Sequence, residues 1–119
     1  MLEPSELVDI VVKALDEKKA RDIKVLKTSD LTVIADYFVI CNGTSSTQIK
    51  ALVDIADQRL SEAGEPPLRR EGHRSGSWVL LDCSSIIVHI FTEEAREFYD
   101  LERLWSDSEE IDISNILDK

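Results

Sequence analysis

The chain has 119 residues, of which 43% are hydrophobic and 32% are charged, and its formal net charge is −10. This length predicts one domain with a modest core, and the hydrophobic content argues against a disordered chain. No apolar run approaches the roughly 20 residues that a membrane-spanning helix needs, so a cytoplasmic location is expected. The acidic surface repels nucleic acid and anionic lipid and attracts basic partners, although the same charge also keeps a protein soluble.

The distribution of the acidic residues and the spacing of the two cysteines give two further expectations. Residues 91–119 contain ten acidic and three basic residues, so the acid is concentrated at the C-terminal end. A domain is expected over residues 1–106, followed by an acidic tail over residues 107–119 that is either loose or a short docking helix. Cys41 and Cys83 each end an apolar segment outside a CxxC spacing, so buried free thiols are expected.

The first half of the chain predicts two helices and two strands. Ser5 is expected to cap an amphipathic helix, because apolar residues recur after it at helical spacing. Residues 23–26 predict a short strand, and the continuous apolar run over residues 37–41 is typical of a central strand that is buried on both faces. Residues 46–63 predict a second helix, which ends at Gly64.

The second half predicts a hairpin and a last helix. Strands over residues 78–82 and 86–91 are separated by three residues, which favours an antiparallel hairpin at one edge of the sheet. Thr92 is expected to cap the last helix, with Glu93 and Glu94 in its first turn, where the helix dipole favours negative charge. The apolar residues expected to pack this helix on the sheet are Phe98, Leu101 and Trp105. Together the elements predict a single-domain α/β fold with a mixed central sheet flanked by helices.

Catalytic signals are weak throughout the sequence. The turn at Gly43, between a strand and a helix, resembles the turn of nucleotidyltransferases, but plain helix capping explains it more simply. Such enzymes need two or three carboxylates on neighbouring strands to hold magnesium ions, and the following strand offers Asp82 alone. His73 and His89 have no second ligand at zinc spacing, and His89 is expected to be a hydrogen-bonded, partly buried residue. We therefore expect no catalytic residue, no metal site and no cofactor.

One face of the first hairpin strand combines residue types that bind proteins. By the strand period of two, Trp78, Leu80 and Asp82 share one face, while Val79 and Leu81 point to the core. An aromatic ring beside an aliphatic chain and a carboxylate offers apolar area together with polar specificity. The alternative is that the last helix covers this face and makes Trp78 part of the core. A nearby basic loop lacks the interleaved aromatics of an RNA site and is expected to be solvated; its arginines are Arg69, Arg70 and Arg74.

Three segments resemble the ribosomal silencing factor family RsfS, also called the Iojap family. They are ARDIKVL (20–26), IADYFVICNGTSSTQIKAL (34–52) and GSWVLLDCSSIIVHIFTEEAREFYDLERLW (76–105), and the resemblance covers about residues 5–106. It implies a nucleotidyltransferase-like fold that lacks the catalytic carboxylates, in agreement with the missing Asp-x-Asp pair. It also implies a role that is not enzymatic.

The resemblance further implies a mechanism of steric exclusion on the ribosome. Members bind large-subunit ribosomal protein fourteen, a basic protein, and block association with the small subunit when nutrients are scarce. Organellar members assist large-subunit assembly, which is the alternative role, and a residual nucleotidyltransferase is a weaker one. A homodimer is expected in the free state, with the hairpin edge as its surface, and neither membrane binding nor direct sequence-specific nucleic-acid binding is expected. The interface residues that the resemblance implies are Trp78, Leu80, Asp82, Glu93, Glu94 and Tyr99.

Overall fold

A six-stranded mixed sheet organises the protein in the computed structural model, which describes residues 2–72 and 76–117. The strand order is β3-β4-β5-β2-β1-β6; β2 and β5 pair in parallel, and the other neighbouring pairs are antiparallel. No helix in the described ranges has the length and apolar character needed to cross a membrane. In chain order the elements are α1 (Pro4–Glu17), β1 (Arg21–Lys27), β2 (Tyr37–Gly43), α2 (Ser46–Glu62), β3 (Arg69–Glu71), β4 (Trp78–Asp82), β5 (Ile86–Thr92), α3 (Glu93–Tyr99), α4 (Leu101–Leu104) and β6 (Glu109–Ile111).

The main core lies between one face of the sheet and the two long helices, α1 and α2. Val79 and Leu81 belong to this core and are at most 2% exposed, which confirms the predicted alternation along β4. β2 is buried along nearly its whole length, as expected of a central strand. Cys41 and Cys83 are buried free thiols, also as predicted, and burial raises the pKa of each to about 12.

The cap of α1 differs from the predicted one. Glu3 occupies the N-cap position, and the Glu6 side chain accepts a hydrogen bond from the Glu3 amide at 3.1 Å. A glutamate at this position is typical of a capping box, because its side chain reaches back to an amide that the helix leaves unpaired. Pro4 fits the first helical position because no N–H is needed there. Ser5 therefore lies inside the first turn, and the expectation that it caps the helix is wrong.

The hairpin of β4 and β5 is confirmed, but it does not form an edge of the sheet. β3 pairs with β4 on its outer side and places Arg69 opposite Asp82. The Arg69 guanidinium donates to the Asp82 carboxylate at 3.1 Å, and Arg70 donates to Asp57 at 2.7 Å. The predicted solvated loop is thus an exposed edge strand at these two arginines, because its backbone pairs with β4 and carboxylates on β4 and α2 bind the side chains. His73 and Arg74 lie outside the described residues.

The last helix is divided into two. Thr92 caps α3 as predicted, accepting a hydrogen bond from the Ala95 amide at 3.1 Å. α3 ends at Tyr99, and α4 begins at Leu101. Asp100 between them has a left-handed backbone with a φ of 49°. Because the chain turns there, Leu101 and Trp105 pack on the sheet as predicted. Phe98 is 81% exposed, so its expected packing is wrong.

The C-terminal segment is neither a loose tail nor a docking helix. Residues Glu109–Ile111 form β6, which pairs antiparallel with β1 and places Ile111 opposite Val25. The apolar residues of this segment pack against the core under α1 and α2, and their burial holds the segment on the sheet. The conformation expected for residues 107–119 is therefore wrong over the part that the structure describes. The packed residues are Ile111, Ile113, Ile116 and Leu117.

Candidate protein-binding site

The sheet face opposite α1 and α2 is only partly covered. Trp78, Leu80 and Asp82 point to this face and are each partly exposed. β5 contributes a second row, in which Ile87 stands directly opposite Asp82 and is also partly exposed. Directly opposite residues of antiparallel strands point to the same side, so these four side chains form one surface, here called the open face.

Ile87 is absent from the residues predicted for the interface. The sequence could have predicted Ile87, because the residues of β5 alternate between the two faces of the sheet with the same period of two as those of β4. Its pairing with β4 then places Ile87, His89 and Phe91 beside the predicted row. His89 and Phe91 are buried, so Ile87 is the member of that row that extends the open face.

Trp78 joins the open face to the core beneath it. Its indole ring stacks on Phe91 at a centroid distance of 5.1 Å and lies 4.5 Å from the Tyr99 ring of α3. Its Nε1–H donates a hydrogen bond to Nδ1 of His89 at 3.2 Å. The last helix thus packs against the Trp78 ring but leaves part of the side chain exposed, and a role of Trp78 in binding a partner stays a prediction.

His89 is more deeply buried than the sequence suggests. Only 4% of its surface is exposed, and the Phe38 ring packs edge-on against it at 4.9 Å. This burial lowers the pKa of His89 to about 4, so the imidazole is neutral at pH 7. The prediction of a hydrogen-bonded histidine is confirmed, and the neutral ring can act as the acceptor for Trp78.

The predicted charged residues lie at opposite ends of the site. Asp82 follows Trp78 by four residues on β4, which corresponds to roughly 13 Å at the rise of a strand. Its carboxylate also accepts a hydrogen bond from the Ser84 amide at 3.0 Å. Glu93 and Glu94 are exposed in the first turn of α3 and line a cleft of about 450 Å³. The structure thus brings Trp78 and Tyr99 into contact, but it does not group the three acids.

The turn at Gly43 serves as a helix cap. Ser45 Oγ accepts from the Gln48 amide at 3.1 Å, and Gln48 Oε1 accepts from the Thr44 amide at 2.6 Å. Gly43 pairs with Thr92 of β5, whereas Asp82 pairs with Ile87 at the other end of the same strand. Ile87 and Thr92 are five residues apart, which corresponds to roughly 16 Å along the strand. The turn and the carboxylate that suggested a nucleotidyltransferase therefore do not form one site.

Comparison with known proteins gives a consistent match. The model of the family described as "Ribosomal silencing factor during starvation" matches residues 2–119. The chain belongs to this family, RsfS. A relative from Halalkalibacterium halodurans, named ribosomal silencing factor RsfS, is 34% identical over 112 residues, which is 94% of this chain and 96% of that protein. A crystal structure of a Chromobacterium violaceum protein is 37% identical, with a TM-score of 0.86 and 88% of each chain covered.

The chain is also similar to proteins whose names refer to organelles. The mouse protein named mitochondrial assembly of ribosomal large subunit protein 1 is 33% identical over 102 residues, covering 83% of this chain and 45% of the mouse protein. The predicted family and the predicted α/β fold with a mixed sheet are confirmed. The RsfS match also includes the C-terminal segment with β6, which lies beyond the region of resemblance seen in the sequence.

Proposed function

We propose that this protein binds the large ribosomal subunit through large-subunit ribosomal protein fourteen. In that position it sterically blocks association with the small subunit and represses translation when nutrients are limiting. The proposal includes a cytoplasmic location and a role without catalysis. The observation that carries it is the open face, where the partly exposed Trp78 is held in a fixed position on the same side of the sheet as Leu80 and Ile87.

Apolar and aromatic residues supply the anchor of the proposed interface. Binding energy concentrates in rings that are large and already ordered, because fewer rotamers are lost when the partner binds. Trp78 meets this condition through its contacts with Phe91 and Tyr99. Tyr99 is 47% exposed, so part of its ring also remains available. Leu80 and Ile87 continue the apolar surface along the sheet.

Charge supports a basic partner. The net charge of −10 and the exposed Glu93 and Glu94 favour encounter with a positively charged surface. Asp82 has a more restricted role, because its carboxylate is already paired with Arg69. We infer that Glu93 and Glu94 contribute mainly to the rate of association, and that Asp82 contributes to orientation at the rim.

An assembly role on the large subunit is the second candidate. The name of the mouse relative favours it, and the same open face would serve it. The homodimer of the free protein also stays a prediction, but the hairpin edge cannot be its surface because β3 covers β4. Strands β3 and β6 form the outer edges of the sheet and would replace the hairpin in that role.

Co-sedimentation with purified ribosomal subunits tests the proposal. We expect the protein to bind the large subunit alone and to reduce the joined fraction when both subunits are present. Trp78→Ala should weaken binding at least tenfold, whereas Ile10→Ala, on the α1 side of the sheet, should bind normally. Binding with unchanged joining would favour the assembly role. Equal binding by wild type and Trp78→Ala would exclude the open face as the site.

A further inference from the structure

The two ring nitrogens of His89 have different surroundings. Nδ1 accepts the hydrogen bond from Trp78, at 3.2 Å. Nε2 is fully buried and has no hydrogen-bond partner within the described part of the chain. Since Nδ1 is the acceptor, the hydrogen-bond network assigns the proton of the neutral ring to Nε2. Among the described residues, His89 therefore buries an N–H donor without a partner beside three aromatic rings.

An unpaired buried donor lowers stability, because the group loses its hydrogen bonds to water and gains none in the fold. A phenylalanine would fill a similar volume at this position without that cost. The surroundings are already apolar, since Phe38, Phe91 and Trp78 all pack against the imidazole. Packing alone therefore does not account for a histidine here, and the hydrogen bond to Trp78 is its specific contribution.

We propose that His89 is a positioning residue of the binding site, which turns the indole of Trp78 so that its hydrocarbon edge faces the partner. This inference rests on the proposed function of the open face. The stacking of Phe91 and the contact of Tyr99 restrict the tilt of the ring but not which of its edges points inward. The single N–H of the indole makes that choice, because it must reach Nδ1 of His89.

The orientation has a consequence for the chemistry of the partner. With its N–H bonded inside the protein, Trp78 offers an apolar edge and a π face, and no donor. The partner group that meets it is therefore apolar or cationic, and not a carbonyl or carboxylate that would seek the N–H. A basic partner that places an arginine or lysine side chain over the ring fits this surface.

The test is a double-mutant cycle between the two residues, with isolated large ribosomal subunits as the binding probe. His89→Phe keeps the ring volume and removes the acceptor, whereas Trp78→Phe keeps an aromatic ring and removes the donor. We expect His89→Phe to weaken binding about tenfold in the wild-type background while its Tm stays equal or rises. In the Trp78→Phe background the same change should have little effect, because no N–H remains to be oriented.

Two further measurements separate positioning from a general structural effect. The indole ¹H–¹⁵N NMR signal of Trp78 should shift in His89→Phe, while that of Trp105 should not. His89→Asn, which places an acceptor near the position of Nδ1, should recover part of the binding and serves also if His89→Phe does not fold. If His89→Phe binds as tightly as wild type while Trp78→Ala does not bind, the inference is wrong and the site stands. If Trp78→Ala also binds normally, both the site and the inference are wrong.

Discussion

The Arg96 guanidinium donates a hydrogen bond to Oδ1 of Asn42 at 2.7 Å, and this contact joins α3 to the central strand β2 across 54 positions of sequence. Arg96 is only 9% exposed, and its Nε donates to Glu102 of α4 at 2.8 Å. Glu102 also pairs with Lys24 of β1 at 3.1 Å. One buried arginine therefore fixes both short helices on the sheet, and it lies three residues before Tyr99, the residue that packs on Trp78.

Replacing Arg96 should destabilise the fold. Arg96→Met removes the donor to Asn42 and leaves Glu102 with Lys24 as its ionic partner. We expect the free energy of unfolding to fall by about 2 kcal/mol, since Glu102 keeps that pair and some contact with water. Lys24→Met is the matched control, because it removes the more exposed partner of the same carboxylate and should cost less than about 1 kcal/mol. Urea denaturation measures both variants. Equal losses would show that burial does not distinguish the two pairs.

Local patterns in the sequence are sufficient for the long elements. The alternation of apolar residues places Val79 and Leu81 in the core and Trp78 on the other face, because a period of two depends only on neighbouring residues. The caps at Ser45 and Thr92 are local in the same way, since each side chain bonds an amide three residues later. These elements define the α/β fold and one row of the candidate site.

Contacts between distant segments could not be predicted. β3 and β6 are three residues long, with the sequences RRE and EEI, and neither has the composition of a strand. They are strands because their backbone groups pair with β1 and β4, which lie elsewhere in the sequence. The contact of Tyr99 with Trp78 also joins distant segments, and the hydrogen bond from Arg96 of α3 to Asn42 of β2 supports it.

Stability should depend on pH through His89. Its pKa is about 4 in the folded protein and near 6.5 in the unfolded chain, so the unfolded state binds the proton first. The stability that neutral His89 contributes is fully present above pH 6.5 and is lost as the pH falls toward 4. Below pH 4 it changes no further, because both states then bind the proton. At 1.36 kcal/mol per pKa unit the loss is about 3 kcal/mol. The free energy of unfolding is measured against pH for wild type and for His89→Phe, and the difference between the two curves removes the effect of the carboxylates. A difference that stays constant between pH 4 and 7 would contradict the burial of His89.

The C-terminal segment should be required for stability. Removing residues 107–119 uncovers β1 and takes four apolar residues from the core, so we expect the free energy of unfolding to fall by at least about 2 kcal/mol. Glu109→Gln with Glu110→Gln reduces the acidic charge but keeps the strand, and should change stability by less than about 0.5 kcal/mol. If the truncated chain is as stable as the full one, residues 1–106 are a complete domain and the segment has another purpose.

Nucleotides should not stabilise this protein. A ligand that binds only the native state raises the Tm, and a residual nucleotidyltransferase would bind nucleoside triphosphate with magnesium. The Gly43 turn is engaged in capping α2, and Asp82 lies roughly 16 Å away along the sheet, where it pairs with Arg69. We therefore expect no change in Tm with nucleotide and magnesium together, relative to either alone. A rise of several degrees with the combination would restore the enzyme hypothesis, and its loss in Asp82→Asn would identify the carboxylate responsible.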